Sequence, residues 1–402
     1  MSRVIEINQI EQLAGYRLAW KALLGQTRMA NVFQSLDWLE TYWQHCRADQ
    51  RLRVLVVESC GKPIGIVPLV VRTQQSPLGT ARYLNYPLDD WGSLYGPIGP
   101  HPTATLLAAM GHIARTPRDW DYIDLRWINR TGTDRGRTHR ALEAVGLSPV
   151  RQPGAETALV DLTTSWDAYW ADRSPRLRSN YRRDERALAA RGQVEFLRHR
   201  PLGASCGDDD PRWDLYDACI ELSARSWQAS TTGTTLAHRG VSEFLRAMHH
   251  RATHAGTLDM SLLLIDRRPV AFAYGYHLTG YVSGLRMGFD ADVPGAGKVL
   301  FGRMLRDSFD RGDQVFDLGS GSLQWKRHWS TTTVASEQLS CFPLSDWRAQ
   351  MVRLGRSAQR LLGGRHTAAD RGARAKSASV SKSGSQTSAS SNEKSRTKPS
   401  AA

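Results

Sequence analysis

The sequence predicts an α/β fold of the α+β kind, made of two copies of one unit, with mixed, mostly antiparallel sheets flanked by helices. Three observations carry this. Arg53–Glu58, the turn Ser59–Pro63 and Ile64–Val71 run apolar strand, polar turn, apolar strand, the pattern of a β-hairpin. Ser261–Ile265, Asp266–Pro269 and Val270–Tyr276 repeat it. Each hairpin is followed by a proline, a helical run and a short strand: Pro102, Thr105–Ala114 and Tyr122–Arg126, then Pro294, Gly297–Asp310 and Val315–Gly319. Proline and strand aspartate lie 22 residues apart in the first copy and 23 in the second. Equal spacing of like elements is the mark of an internal repeat.

The remaining elements follow in order. Apolar residues at helical spacing mark Glu11–Leu24 and Gln34–Cys46 before the first hairpin. Ser179–Ala190, Asp214–Trp227 and Val241–His254 precede the second. The first copy carries an insertion at Tyr83–Pro100, and Ala158–Leu162 reads as a strand crossing between the copies. Tyr281–Phe289 reads as a strand of the second copy. Trp347, Met351, Leu354, Ala358 and Leu361 give Leu344–Leu362 the spacing of a closing helix. The boundary between copies falls near Pro153–Asp172. The expected division is an N-terminal domain at 1–160, a C-terminal domain at 161–363 and a tail at 364–402. The tail is Ser-, Lys- and Arg-rich, with Val380 its only large aliphatic residue. It cannot bury enough apolar surface to offset its chain entropy, and disorder is expected. It would serve as a solubilising tail or a weak tether to nucleic acid or anionic membrane.

Composition narrows the class. The chain has 402 residues, 41% of them hydrophobic and 23% charged. This excludes a wholly disordered chain, a collagen and a disulfide-stapled miniprotein, and two domains are expected at this length. No apolar run approaches the roughly 20 residues of a membrane helix. The N-terminus lacks the apolar core of a signal peptide, so a cytoplasmic location is expected. Five widely spaced cysteines with no Cys-x-x-Cys pattern give no zinc site, and no metal is expected. Net charge is +14, of which the last 38 residues hold +6. The remainder is moderately basic, which suits a phosphorylated ligand, anionic lipid or RNA.

The richest segment runs from Gly284 to Trp329. After Pro294, Gly295-Ala296-Gly297-Lys298-Val299 opens a helix. Free amides, the helix dipole and a lysine there suit a pyrophosphate, and glycine lets a ligand approach the backbone. A plain Pro-Gly turn before an amphipathic helix is the competing reading. The first copy has Pro102-Thr-Ala-Thr there and no glycine, so a phosphate ligand would belong to the second. The next strand ends Asp317-Leu-Gly-Ser-Gly321, and Trp325-Lys326-Arg327-His328-Trp329 follows. His328 is a candidate general base at a pocket mouth, although a lone histidine is more often structural or exposed. Ser174–Gly192 is an arginine-rich helix with Ser174 as N-cap, Pro175 at its first position and Gly192 past its end. It is a solvated face or a site for phosphate or carboxylate. Tyr86–Gly92, containing Asp89-Asp90-Trp91, is a polar-aromatic loop. No Ser-His-Asp signature, His-Glu-x-x-His or Walker loop occurs.

Taken together these residues resemble a tandem GNAT (Gcn5-related N-acetyltransferase) fold, and within it the BioF-like acetyltransferases that include the CelD-type cellulose-biosynthesis proteins. The resemblance rests on Phe33–Trp43, Asp89-Asp-Trp-Gly92, the Arg178–Arg183 helix ending at Gly192, Pro294-Gly-Ala-Gly297, Phe316–Gly321 and Trp325–Trp329. It spans Val32 to Pro343 and rests on order and spacing rather than one motif. More distantly the chain resembles the Fem-type peptidoglycan aminoacyl transferases. The resemblance implies an acyl-CoA donor with its pyrophosphate at Gly295, Ala296, Gly297, Lys298 and Val299. It implies direct acyl transfer, most simply acetyl, to an amine or hydroxyl acceptor such as a sugar or envelope precursor. Pro294-Gly-Ala-Gly-Lys departs from the fuller Arg/Gln-x-x-Gly-x-Gly/Ala loop of ordinary GNAT enzymes. Asp317, Lys326 and His328 are expected near the transfer centre, and Asp90, Trp91, Arg178 and Arg286 on the acceptor. Bulk at Gly297 is expected to abolish donor binding and spare the fold. The alternatives are an aminoacyl-tRNA donor and a catalytically silent scaffold of a polysaccharide-synthesis complex.

Overall fold

A computed structural model describes residues 2–76, 79–89, 91–92, 94–225, 236, 239–320 and 323–358. The tail, Gly321 and Asp90 lie outside the described residues. The chain divides into two compact units, Met1–Pro343 and Leu344–Ala402. Of the second, residues 347–358 are helical, within the closing helix expected from the periodicity.

In the first unit the elements run β1 (Ser2–Ile7), α1 (Arg17–Gly25), α2 (Leu36–Cys46), β2 (Gln50–Ser59), β3 (Lys62–Ser76), β4 (Gly79–Asn85), α3 (Pro102–Arg115), β5 (Tyr122–Asn129), α4 (Arg137–Ala144) and β6 (Pro149–Asp161). They continue α5 (Trp166–Asp172), α6 (Pro175–Ala189), β7 (Val194–His199), α7 (Trp213–Arg225), α8 (Arg239–Ala255), β8 (Leu258–Ile265), β9 (Arg268–Leu278), β10 (Tyr281–Phe289), α9 (Ala296–Asp310), β11 (Val315–Ser320), α10 (Leu323–Lys326) and β12 (Thr332–Cys341). Local chemistry sets the helix starts. Ser35 Oγ accepts from Trp38 N at 3.1 Å, and Ser174 Oγ from Leu177 N at 3.2 Å. Each satisfies an amide the first turn leaves unpaired.

All strands join one sheet in the order β1-β2-β3-β4-β5-β12-β6-β11-β10-β9-β8-β7. The duplication is visible in that order. Each copy places four antiparallel strands beside a parallel neighbour: β4 with β5, and β10 with β11. The last strand of each copy crosses over. β6 pairs with β11 and β12, while β12 pairs with β5 and β6. Part of the expected insertion at Tyr83–Pro100 is therefore β4, the counterpart of β10. Its remainder carries Tyr95, which pairs with Ile128 of β5, and Ile98, which pairs with Ile66 of β3. After β4 ends, this segment fills the lane between β3 and β5.

Three apolar cores hold the layers. One joins the copies, with Trp38, Tyr42 and Leu125 from the first and Phe244, Met248 and Tyr274 from the second. Another lies between the sheet, α6 and α9, and a third lies under α1. Among the described residues no helix is long and apolar enough to cross a membrane.

Candidate functional site

The candidate site forms where β10 and β11 part. They pair in parallel only from Tyr281–Val315 to Ser283–Asp317. Beyond that point β10 continues to Phe289 along β9, and β11 follows β6. A register shift between Gly284 and Arg286 bends β10 away, as a bulge does. The bulge also directs neighbouring residues to one side. Leu285 packs against the core that joins the copies, and Arg286 lies over the Trp91 ring, 5.7 Å from its centroid. In the first copy the corresponding lane is occupied by 94–98, anchored by Tyr95 N to Trp127 O at 2.8 Å and Ile98 N to Ile66 O at 2.8 Å. Asn31 and Gln34 hold that segment from below through Leu94 O and Gly96 O, each at 3.2 Å.

Strand alternation sorts the site residues. Phe316 and Leu318 enter the core under α9, and Asp317 between them takes the other face. It is buried. Its carboxylate accepts from Tyr281 OH at 2.8 Å and from Gly319 N at 2.6 Å. Burial raises its pKa against those bonds. Lys326 reaches the same strand end from α10, donating to Gly319 O at 3.1 Å and Ser320 O at 2.7 Å. Burial pulls its pKa down to about 8, with Asp317 opposing. Lysine thereby gains an appreciable neutral population near neutral pH. His328 instead stands exposed on the turn after α10.

The turn before α9 is built for packing. Gly295 has φ +91°, and a Cβ there would lie 2.9 Å from Asp184 Cβ. Lys298 is paired with the Asp184 carboxylate on α6. Ala296, Gly297 and Val299 are buried. A Cβ at Gly297 would lie 2.8 Å from the Phe289 ring. Bulk at 297 therefore strains the β10–α9 contact before it meets any ligand, and the fold-sparing behaviour expected of that substitution loses its basis. Gly302 makes the same point one turn on. Gly→Ala inside a helix ordinarily gains about 1 kcal/mol. Here the new Cβ would meet the Tyr181 ring at 2.3 Å, and that ring is wedged beside Trp170 and Trp329. Gly302→Ala is expected to lose about 1–3 kcal/mol as an overpacked site, read from the urea midpoint.

Of the expected acceptor residues, Trp91 and Arg286 come together. Arg178 sits on α6, which packs with α9 over the opposite face of the sheet, and its Nε is buried without a partner among the described residues. The loop carrying Trp91 is tied down by Asp89, which accepts from Tyr42 OH at 3.1 Å and pairs with Arg72. Sequence reasoning missed three residues. Tyr281 supports Asp317. Ser283 and Tyr276 are direct partners across β10 and β9, and Ser283 is also the register partner of Asp317. A period-two strand with serine and tyrosine on one face was the available signal. A cavity of about 230 Å³ near the start of α3 is lined by residues including Asn31, Tyr95, Asp134 and Tyr281. Tyr281 is thus a shared wall of that cavity and the Asp317 centre.

Residues 175–327, containing the β10–β11 opening, α9, Asp317 and Lys326, match the sequence model of the acetyltransferase (GNAT) domain. The chain thus carries a GNAT-type domain in its second copy. Among solved structures it is similar to FemX, with TM-score 0.59 and 12% identity over 87% of this chain and 99% of that one. It is similar to the C-terminal domain (DUF2156) of an Agrobacterium fabrum protein named for lysylphosphatidylglycerol synthetase, with TM-score 0.51 and 14% identity over 88% and 97%. A conserved protein of unknown function from Bacteroides thetaiotaomicron gives 0.50 and 12% over 85% and 100%. At these identities the likeness concerns the fold. No curated protein sequence matches the chain.

Proposed function

We propose that the protein transfers an acyl group, acetyl in the simplest case, from acyl-CoA to an amine or hydroxyl acceptor. The observation that carries this reading is the opening between β10 and β11, in the region matching the GNAT domain. Parted strands present unpaired backbone groups along which an extended thioester arm can lie. The filled lane of the first copy supports reading the donor into the second, in the half after residue 161. In the reading, the donor phosphates lie toward the start of α9 and meet backbone amides of its first turn, because Ala296 and Val299 are buried there and Lys298 is paired with Asp184.

The chemistry needs a nucleophile, a place for its proton and a leaving group. The acceptor nitrogen or oxygen attacks the thioester carbonyl carbon. The new C–N or C–O bond forms as the C–S bond breaks, and CoA leaves as thiolate. Neutral Lys326 takes the acceptor proton and returns it to the thiolate. Asp317, fixed by Tyr281 and Gly319, stabilises the ammonium form of Lys326 in between. No covalent enzyme intermediate is required.

The test is calorimetric titration of the full chain with acetyl-CoA and longer acyl-CoAs, beside Gly284→Trp. Gly284 is exposed, and its Cβ would lie between Asp317 O and the Phe316 ring, so bulk there enters the opening. Saturable binding in the wild type, weakened at least tenfold in a variant that still melts cooperatively, is expected. Absence of heat with every thioester would defeat the reading. A second reading, an aminoacyl group delivered on RNA, is favoured by exposed Arg176, Arg182 and Arg186, which make no ion pair among the described residues of α6. Salt-dependent tRNA binding together with silence toward acyl-CoA would select it.

A further inference from the structure

At the opening between β10 and β11, Arg286 is a cation with no counter-charge among the described residues. Arg286 is half-buried at the β10 bulge, and its Nε is shut off from water without a hydrogen-bond partner. Among the described residues its Nη1 donates only to the neighbouring Leu285 O, at 2.8 Å. Among the described residues no carboxylate pairs with it. Its principal neighbour is the Trp91 face. Other secluded arginines of this protein are neutralised: Arg198 and Arg200 share Asp259, and Arg53 has Glu6 and Asp119. Burial drags the Arg286 pKa down, with only Tyr276 opposing. Taking a guanidinium out of water without a counter-charge is costly, so proteins pair such groups.

A second observation lies beside it. Ser283 is 3% exposed, and its Oγ has no partner among the described residues. Ser283 stands opposite Tyr276, and Arg286 opposite Tyr274, on the adjacent strand, so both belong to one face. That face also carries Asp317, the register partner of Ser283. A hydroxyl and a guanidinium, each without a counterpart among the described residues, thus lie along one strand beside the candidate transfer centre.

We propose that Arg286 and Ser283 form an anion site, and that the acceptor is an amine or hydroxyl compound carrying a carboxylate or phosphate, which Arg286 grips while its nucleophile faces Asp317 and Lys326. This rests on the acyl-transfer reading for the word acceptor, whereas the anion site stands on its own geometry. A guanidinium fork matches either oxyanion in two parallel hydrogen bonds.

The experiment titrates the full chain calorimetrically with glucosamine 6-phosphate, glucosamine, phosphate and acetate, without donor, in the wild type, Arg286→Gln and Arg286→Lys. Saturable binding of at least one anion-bearing probe is expected, with glucosamine bound at least tenfold more weakly than its phosphate. Arg286→Gln should weaken the anion at least tenfold, Arg286→Lys should fall between, and acetyl-CoA affinity should be equal in all three. Equal anion binding by the wild type and Arg286→Gln overturns the site, as does failure of every anion to bind the folded wild type. A parallel loss of acetyl-CoA affinity overturns the assignment to the acceptor and gives Arg286 to the donor phosphates. If acyl-CoA never binds but the anion does so through Arg286, the transfer reading falls and the anion site survives.

Discussion

Lys326→Met is expected to lower turnover about 10²- to 10⁴-fold, the usual effect of losing a positioned general base, while leaving acyl-CoA affinity near the wild-type value. The amine is held at Gly319 O and Ser320 O beside Asp317. Its wild-type signature is a pH profile. Lys326 titrates at about 8, so kcat/KM should climb as pH rises through that value and then level. The variant should lose this limb along with the rate. Stability carries a matching sign. An unfolded lysine titrates near 10.4, so between about 8 and 10.4 the unfolded chain binds the extra proton and the Lys326 contribution to stability rises with pH. A variant with an unchanged profile would remove Lys326 from the chemistry, and the exposed His328 would be next to replace.

The largest effect on stability is expected at Asp259. Its carboxylate accepts from Arg198 Nε and Nη2 at 2.9 and 2.7 Å and from Arg200 Nη2 at 2.9 Å. Arg200 also binds Asp313, and Arg198 Nη1 reaches Met304 O, Ser308 Oγ and Asp307. The network therefore staples β7 and β8 to the C-terminal end of α9. Asp259→Asn removes the central charge and leaves two secluded guanidinium groups underneutralised, at about 3–5 kcal/mol, measurable by urea unfolding. Burial on its own would raise the Asp259 pKa, but Arg198 and Arg200 overcome it and hold it far below the usual carboxylate range. The stabilisation is therefore complete above the unfolded value near 3.9 and is lost as pH falls below it. The variant should show a flatter stability profile below about pH 4. A loss under 1 kcal/mol would mean that water or the neighbouring aspartates compensate.

The fold was largely legible because its periodicities are strong. Both hairpins, the helices after Pro102 and Pro294 and the strand Tyr281–Phe289 lie where apolar spacing puts them, within a few residues. β4 was hidden because Gly79–Asn85 is short and runs into a loop. Strand crossing was hidden because pairing partners of β12 lie in another copy of the unit, and local pattern carries no register. In the candidate site, Asp317 and Lys326 stand out by type and neighbourhood, and the structure brings them to one strand end. The roles of Gly295 and Gly297 did not. A glycine that admits a phosphate and one that admits the Phe289 ring or Asp184 look alike in sequence. Ser283 is not legible because a lone serine in a strand has no chemical signature until its hydroxyl is seen to lack a partner among the described residues.

The crossed strands bear on how the chain reaches this structure. Ser336 on β12 lies opposite Asn129 on β5, so two residues more than 200 positions apart must meet before the sheet can close. Loop closure over such a distance is slow, and non-local pairing delays folding. During synthesis the first copy emerges with the edge of β5 bare, and the partners of its own β6, which are β11 and β12, are made only later. Until the last strand arrives, that edge is an open template for another nascent chain. Assembly of the first copy is thus completed by the final strand of the second, and the order of synthesis places an aggregation-prone interval before the molecule is whole.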